Sequence, residues 1–168
     1  MNLSEKLLRV RAVVLDVDGI LTDGRIGYGG DGKEIKFFDV KDGLGIKLLQ
    51  KNGFLVGILS GRGSMANRTR AEELKLDFVY EKKRDKATAF ATLLEEHGLK
   101  ASECLYMGDD LVDLAVLRQA GVSATVSDAH PAVRESCLLV TAARGGRGAV
   151  REVAELLLDG RGVWREIV

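Results

Sequence analysis

Near its amino end the sequence reads Ala12-Val13-Val14-Leu15-Asp16-Val17-Asp18-Gly19, four apolar residues followed by two carboxylates and a glycine. The apolar run predicts a buried strand. Residues i and i+2 of an extended segment point the same way, so Asp16 and Asp18 can converge on one bound group. Gly19 then lets the chain turn away. One carboxylate could act as a nucleophile while the other transfers protons, although these residues would also suit a turn or part of a calcium loop.

Polar residues also follow two later apolar runs and open one helical pattern. They are Ser60-Gly61-Arg62 after residues 54–59, Gly108-Asp109-Asp110 with Asp113 after residues 104–107, and Lys86 at a helix start. The carboxyl ends of the strands of an open parallel sheet form one edge, and such sheets place their sites there. We therefore expect these residues to share a site with Asp16 and Asp18.

Strand candidates alternate with segments of helical length along the chain. The candidates are residues 11–16, 54–59, 77–80, 104–107, 122–126 and 138–140. This alternation predicts an α/β fold, a Rossmann-like doubly wound parallel sheet with helices on both faces. Apolar stripes predict the buried faces of three helices. The stripes are Ala87, Phe90, Ala91 and Leu94, then Leu111, Leu114 and Ala115, and finally Val150, Val153 and Leu157.

Residues 25–40 interrupt this alternation. They contain two strand-like segments around Gly29-Gly30-Asp31-Gly32, which predicts an inserted β-hairpin with a glycine-rich loop. Phe37 and Phe38 are adjacent, so in a strand their rings would face opposite sides. One ring could then pack on its own domain and the other on a partner chain. The alternative is that a single subunit covers both rings.

The size and charge of the chain limit what it can bind. Its 168 residues suit one domain spanning residues 1–168. Lys plus Arg and Asp plus Glu each number 25, so a net charge of zero gives no general attraction for nucleic acid or an anionic membrane. No apolar run approaches the roughly 20 residues that span a bilayer, and no signal peptide is recognisable. We expect a cytoplasmic protein that acts on a small molecule.

In chain order, the Asp-x-Asp pair, the serine, the lysine and the Gly-Asp-Asp segment resemble the four-part pattern of the haloacid dehalogenase superfamily. The resemblance implies phosphoryl transfer through an aspartyl phosphate on Asp16. Asp18 would protonate the leaving oxygen and then activate water, which favours a phosphohydrolase. Ser60 would donate to a phosphoryl oxygen, and Lys86 would offset phosphate charge.

The same resemblance implies Mg²⁺ as the cofactor, because a carboxylate nucleophile repels a phosphate unless cations lie between them. Magnesium prefers oxygen and commonly takes only a few carboxylates. Asp16, Asp109 and the backbone carbonyl of Asp18 match that preference. Asp110 and Asp113 are either further ligands or supports for the ligands, and both alternatives remain open.

The spacing of the motifs leaves no room for a cap domain. About 40 residues separate Asp18 from Ser60, and about 25 separate Ser60 from Lys86. Similar capless members of the superfamily close their sites by assembly with neighbouring subunits, which excludes water from the substrate. The resemblance therefore implies a homo-oligomer, a tetramer, in which the hairpins pack together.

Four segments narrow the resemblance to the 3-deoxy-D-manno-octulosonate 8-phosphate phosphatases of the lipopolysaccharide sugar pathway. They are residues 39–45, 108–113 and 128–131, and the tail Gly145-Gly146-Arg147-Gly148-Ala149-Val150-Arg151-Glu152. The first and third of these segments also occur in relatives that act on nine-carbon sialic-type acid 9-phosphates, which is one alternative. Others are a catalytically idle regulatory subunit and a receiver-like signalling domain, although a receiver has its phosphorylated Asp after the third strand.

A sugar acid phosphate has a carboxylate at one end and a phosphate at the other, so its site needs cations at both. The resemblance implies that the substrate contacts are Thr22, Asp39, Lys41, Asp42, Gly43, Lys47, Gly61, Arg62, Arg70 and Arg147. Arg70 lies about two helical turns beyond Arg62, so both can reach one mouth. Arg147 lies between glycines in the tail and helix of residues 144–160. It could swing over its own site or that of a neighbour, or it could belong to a plain helix-entry loop.

Overall fold

The apolar run Ala12–Leu15 forms the central strand of a parallel sheet in the computed structural model, which describes residues 2–168 and so omits the first residue of the predicted domain. All of its residues are buried, as expected for a strand covered on both faces. The strands are β1 (Ala12–Leu15), β2 (Gly27–Tyr28), β3 (Glu34–Ile35), β4 (Leu55–Leu59), β5 (Phe78–Tyr80), β6 (Cys104–Met107), β7 (Val122–Thr125) and β8 (Leu139–Val140).

The main sheet has the order β5-β4-β1-β6-β7-β8, and every neighbouring pair is parallel. Counting only these strands along the chain, the order is 3-2-1-4-5-6, the doubly wound Rossmann order. The predicted fold class is confirmed. Receiver domains have the order 2-1-3-4-5, so the receiver-like alternative is wrong. The winding reverses between β1 and β6, and sheets of this type bind ligands outside the carboxyl ends of the strands at such a point.

Helices connect the parallel strands, and others precede the first strand and follow the last one. They are α1 (Leu3–Arg9), α2 (Val40–Lys51), α3 (Met65–Leu74), α4 (Lys86–Glu96), α5 (Leu114–Leu117), α6 (Pro131–Ser136), α7 (Ala149–Gly160) and α8 (Trp164–Ile167). α7 packs against α1 and α2, and α5 packs against α4 and α6. The contact between α2 and α7 depends on Gly45, because a Cβ there would lie 3.0 Å from the Cα of Arg151. Within residues 2–168 no helix is long and apolar enough to cross a membrane.

β2 and β3 form the predicted hairpin, with Tyr28 opposite Glu34, but their pairing ends at Ile35. Phe37 and Phe38 therefore follow the hairpin in irregular backbone and are not part of a strand. Their rings are nevertheless placed differently. Phe37 is 79 % exposed, whereas Phe38 is half-buried against the core, with the guanidinium of Arg70 5.6 Å from its ring centre. Within residues 2–168 no cap domain covers the carboxyl edge of the sheet.

Candidate active site

Four segments meet at the carboxyl edge of the sheet, around a cavity of about 300 Å³. They are the turn after β1, the loop after β4, the start of α4 and the loop after β6. The predicted residues that line this cavity are Asp16, Asp18, Ser60, Gly61, Arg62, Lys86, Asp109 and Asp110. Strands β1 and β6 are neighbours, so the winding of the sheet places the carboxylates that follow them opposite each other.

Asp16 lies at the end of β1 and is 6 % exposed. Its Oδ1 accepts the N–H of Val17 at 2.7 Å, and its Oδ2 lies 2.7 Å from Nζ of Lys86. Burial raises the pKa of Asp16 to about 6, and the charge of Lys86 limits that rise. The carboxylate is thus poorly solvated and held at both oxygens.

Lys86 is the first residue of α4, and its side chain is buried between two carboxylates. Nζ lies 2.7 Å from Oδ2 of Asp16 and 2.7 Å from Oδ1 of Asp113. Burial alone would lower the pKa of Lys86, but the two carboxylates more than offset it and raise the pKa above its usual range. A charged lysine therefore stands beside Asp16, where it can offset phosphate charge.

Asp113 is fully buried, and both of its oxygens accept hydrogen bonds within the protein. Oδ1 accepts from Lys86 and, at 2.6 Å, from the hydroxyl of Tyr106. Oδ2 accepts the backbone N–H groups of Asp109 at 3.1 Å and Asp110 at 3.2 Å. The side chain thereby fixes the loop after β6 and orients Lys86. Sequence reasoning missed Tyr106, which lies in an apolar run and looks like an ordinary core aromatic residue.

One carboxylate oxygen from each of Asp16, Asp109 and Asp113 lies within 4.8 Å of the others. Burial, followed by the charges of Asp16 and Asp113, raises the pKa of Asp109 to about 7. Lys86 alone does not balance this buried negative charge, so the oxygen cluster fits a hard divalent cation such as Mg²⁺.

Gly19 allows this cluster of carboxylate oxygens to form. Its φ is +93°, a conformation that favours glycine, and a Cβ at this position would lie 2.0 Å from Oδ2 of Asp109. The glycine therefore satisfies two requirements: the chain turns after Asp18, and the carboxylate of Asp109 approaches the backbone of that turn.

Ser60 and Arg62 line the cavity on the side of β4. Ser60 is buried at the end of β4, and its Oγ accepts the N–H of Arg62 at 3.3 Å, so its hydroxyl proton remains available for a phosphoryl oxygen. Arg62 is half-exposed, pairs with Glu34 of the hairpin, and has its Nε 3.8 Å from Oδ2 of Asp18. The hairpin thus reaches the cavity.

Sequence reasoning also missed Lys36, whose side chain is fully buried beside Asp18. Its Nζ lies 2.6 Å from Oδ1 of Asp18 and 3.0 Å from Oδ1 of Asn67. The alternation around it pointed the other way, because apolar Ile35 and Phe37 on either side predict an exposed lysine. In the structure those two neighbours are exposed and Lys36 is buried.

Three predicted substrate contacts instead hold the backbone of this subunit. Thr22 Oγ1 accepts the N–H groups of Gly19 at 3.4 Å and Gly24 at 3.2 Å. Asp42 is buried, and its oxygens accept the N–H groups of Gly148 at 3.2 Å and Arg151 at 2.8 Å, at the start of α7. Lys47 donates to the carbonyl of Leu74 at the end of α3. Within residues 2–168, all three lie outside the lining of the cavity.

The other predicted contacts lie around a neighbouring cavity of about 520 Å³. Asp39, Lys41 and Arg147 line it together with Phe37 and Phe38. The guanidinium of Arg70 packs on the ring of Phe38 and donates to the carbonyl of Asp39 at 3.1 Å. Gly43 leaves room for Arg70, because a Cβ at position 43 would lie 2.5 Å from Nη2 of Arg70. Arg147 is mostly exposed, with Nη2 3.7 Å from Oδ2 of Asp23. These groups are separate from the cavity that Asp16 and Lys86 line.

Comparison with known proteins agrees with this geometry. Residues 67–152 match the family model of haloacid dehalogenase-like hydrolases. The chain is 40 % identical over 157 residues to the 3-deoxy-D-manno-octulosonate 8-phosphate phosphatase of Escherichia coli K12, which covers 94 % of this chain and 84 % of that protein. It is 39 % identical over 154 residues to the phosphatase of the same name from Yersinia pestis, covering 92 % and 82 %.

Solved structures give the same result. The Moraxella catarrhalis 3-deoxy-D-manno-octulosonate 8-phosphate phosphatase, in complex with magnesium, phosphate and the sugar acid, superposes with a TM-score of 0.95 at 38 % identity, over 98 % of this chain and 94 % of that one. The cobalt-bound Haemophilus influenzae phosphatase gives 0.91 at 39 % identity, over 95 % and 93 %. The chain belongs to the 3-deoxy-D-manno-octulosonate 8-phosphate phosphatase family of haloacid dehalogenase-like hydrolases.

Proposed function

We propose that this protein hydrolyses 3-deoxy-D-manno-octulosonate 8-phosphate to the free sugar acid and phosphate. The observation that supports phosphate ester hydrolysis most directly is the placement of Asp16 between the Lys86 ammonium and the Asp109 carboxylate, with Asp18 two residues later in the chain. The relatives described above are named as phosphatases of this substrate. A cytoplasmic location stays a prediction.

The reaction divides into two transfers that this chain's residues can perform. A carboxylate oxygen of Asp16 attacks phosphorus, and the bond to the sugar oxygen breaks as Asp18 gives that oxygen a proton. Asp18 then takes a proton from water, which attacks the acyl phosphate and restores Asp16. Lys86 and Ser60 stabilise charge on the phosphoryl oxygens. When bound, Mg²⁺ supplies the remaining charge neutralisation.

We propose that Asp16 and Asp109 supply the metal-binding carboxylates and that Asp113 supports them. Both Asp113 oxygens already accept hydrogen bonds, two of them from the backbone that positions Asp109. Asp110 lines the cavity and is exposed, so it can reach the ion through water.

Substrate choice is tested by phosphate release from a panel with and without Mg²⁺. We expect the eight-carbon sugar acid 8-phosphate to give the highest kcat/KM, by at least about tenfold over a nine-carbon sialic-type acid 9-phosphate, since a site matched to one chain length loses contacts with another. p-Nitrophenyl phosphate is the control for the chemistry alone. A preference for the nine-carbon ester would replace the proposed substrate, and no release from any ester would favour a catalytically idle subunit.

We also propose that the protein is a homo-oligomer, a tetramer, whose hairpins pack together. Tyr28 and Ile35 on the hairpin, and Phe37 and Val40 after it, expose large apolar side chains. Phe37 and Val40 also line the cavity that Arg147 lines, and exposed apolar side chains clustered in this way are typical of a protein interface. A second copy covering it would place its surface beside Asp39, Lys41 and Arg147. The predicted substrate contacts that lie outside the cavity lined by Asp16 would then be near the sugar end of a bound substrate.

Phe37→Glu is expected to break the assembly without unfolding the subunit, because Phe37 is exposed in the single chain. Activity on the sugar acid phosphate should fall more than activity on p-nitrophenyl phosphate, which needs less enclosure. Light scattering measures the assembly, and phosphate release from each of the two esters measures the activities. Leu8→Glu on α1, which likewise replaces an exposed apolar residue by an acid, is the matched control and should leave the assembly and both activities unchanged. A parent protein that is monomeric and fully active would contradict the proposed assembly.

A further inference from the structure

Lys36 and Asn67 form a buried polar contact with Asp18 that the mechanism above does not use. The Lys36 side chain is fully buried, and Asn67 on α3 is 2 % exposed. Nζ of Lys36 lies 2.6 Å from Oδ1 of Asp18, 3.0 Å from Oδ1 of Asn67 and 3.8 Å from Oε2 of Glu34. Burying an ammonium is costly unless it is paired and hydrogen-bonded, and these three oxygens meet that condition.

Three parts of the fold meet at this contact. Asp18 belongs to the turn after β1, Lys36 follows β3 of the hairpin, and Asn67 lies in the first turn of α3. Asn67 is itself fixed, because its backbone N–H donates to Oγ of Ser64 at 3.1 Å. The position of Nζ is therefore set by α3 on one side and by the hairpin on the other.

The two oxygens of Asp18 have different surroundings. Oδ1 accepts from Lys36, whereas Oδ2 lies on the side of Arg62, which lines the cavity and is half-exposed. Holding Oδ1 restricts rotation of the carboxyl group and leaves Oδ2 on the side of the cavity. A proton-transferring carboxyl group must be placed within hydrogen-bond distance of the leaving oxygen, so this restriction bears directly on its task.

We propose that Lys36 is a positioning residue for Asp18: together with Asn67 it holds Oδ1, so that Oδ2 can exchange a proton with the leaving oxygen and with water. The proposal deepens the proposed phosphatase function and rests on it for the role of Asp18. It also makes the hairpin part of the reaction centre, since Lys36 reaches Asp18 only while the hairpin is docked.

Leaving groups of different acidity separate this role from a general loss of structure. A sugar alkoxide is a poor leaving group and needs a proton, whereas p-nitrophenolate leaves with little help. Lys36→Met should therefore lower kcat/KM for the sugar acid phosphate by roughly 10- to 100-fold. For p-nitrophenyl phosphate the expected decrease is within about threefold. The parameter kcat/KM is chosen because it includes only the steps up to formation of the acyl phosphate, before Asp18 acts as a base.

The control is Lys33→Met, which removes an exposed lysine of the same hairpin that pairs with Asp31, and it should change neither rate. Asn67→Ala, which leaves Lys36 in place, should shift the ratio of the two rates in the same direction by a smaller factor. It also serves as the test if Lys36→Met does not fold. When Asp18 is already replaced by alanine, adding Lys36→Met should lower kcat/KM by at most about twofold more. The effects of two substitutions do not add when one residue acts through the other.

Crystal structures of the parent and of Lys36→Met provide a measurement independent of turnover. We expect the Asp18 carboxyl group to rotate or to adopt several conformers in the variant, while Asp16 and Lys86 stay in contact. An unmoved Asp18 together with an equal decrease for both esters would overturn the inference. Failure of the parent to release phosphate from the sugar acid ester would instead count against the proposed function, and the Asp18 conformation would still decide the role of Lys36.

Discussion

Asp16→Asn is expected to lower phosphate release by roughly 10⁴-fold or more while the protein still folds. An amide cannot form the acyl phosphate, so the two-step reaction has no first intermediate. The fold should persist because the amide has nearly the same shape and its oxygen can still accept the N–H of Val17. Lys86 keeps its contact with Asp113, so the substitution leaves no unpaired buried ammonium.

The melting temperature of this variant gives a second expectation. The folded-state pKa of Asp16 is raised to about 6, above its ordinary value, so at pH 7 its ionised form destabilises the metal-free folded protein. The amide removes that cost, and we expect the metal-free variant to melt no lower than the parent. Asp159→Asn, an exposed change in the last turn of α7, is the matched control and should keep full activity. Turnover within about tenfold of the parent would rule out Asp16 as the nucleophile.

Removal of Mg²⁺ is expected to abolish turnover, and addition of Mg²⁺ should raise the melting temperature of the parent. Both effects follow from the buried carboxylates of Asp16 and Asp109, whose mutual repulsion Lys86 offsets only in part. Asp109→Asn should remove the thermal effect of the ion together with the activity. The metal-free variant should itself melt higher than the metal-free parent, because one unbalanced buried charge is gone.

Calorimetry or dye-based melting with and without Mg²⁺, alongside phosphate release, measures these effects. Asp159→Asn again serves as the control and should show the full Mg²⁺-dependent rise in melting temperature. Activity that a chelator leaves unchanged would contradict the metal requirement. A normal Mg²⁺ response in Asp109→Asn would show that other oxygens hold the ion.

Apolar patterns located the strands correctly but misplaced two helix faces. On α4 the predicted stripe was Ala87, Phe90, Ala91 and Leu94, whereas the buried residues are Lys86, Ala89, Phe90 and Leu93. The pattern counts apolar residues only, so it treats a lysine as exposed. Here the two carboxylates beside Lys86 offset the cost of burying its charge, and the inward face is displaced by one residue.

The turn after β6 shows the same effect with the opposite charge. Leu111 and Ala115, predicted to be buried, are exposed, while Asp113 is fully buried along with Val116 and Leu117. Four hydrogen bonds from backbone and side chains compensate for the burial of Asp113. The third stripe, Val150, Val153 and Leu157 of α7, is buried as predicted, because no charged group competes for that face.

By itself, the sequence determined the strands, their alternation with helices, and the residues at the strand ends. Asp16, Ser60 and Asp109 could be assigned to one edge of the sheet because strand direction and side-chain alternation are local properties of the chain. Only the tertiary structure decided which charged groups face each other. Lys36 pairs with Asp18. Asp42 accepts a hydrogen bond from the start of α7, 106 residues away in the sequence. Such contacts depend on how separate elements pack and not on any pattern along the chain.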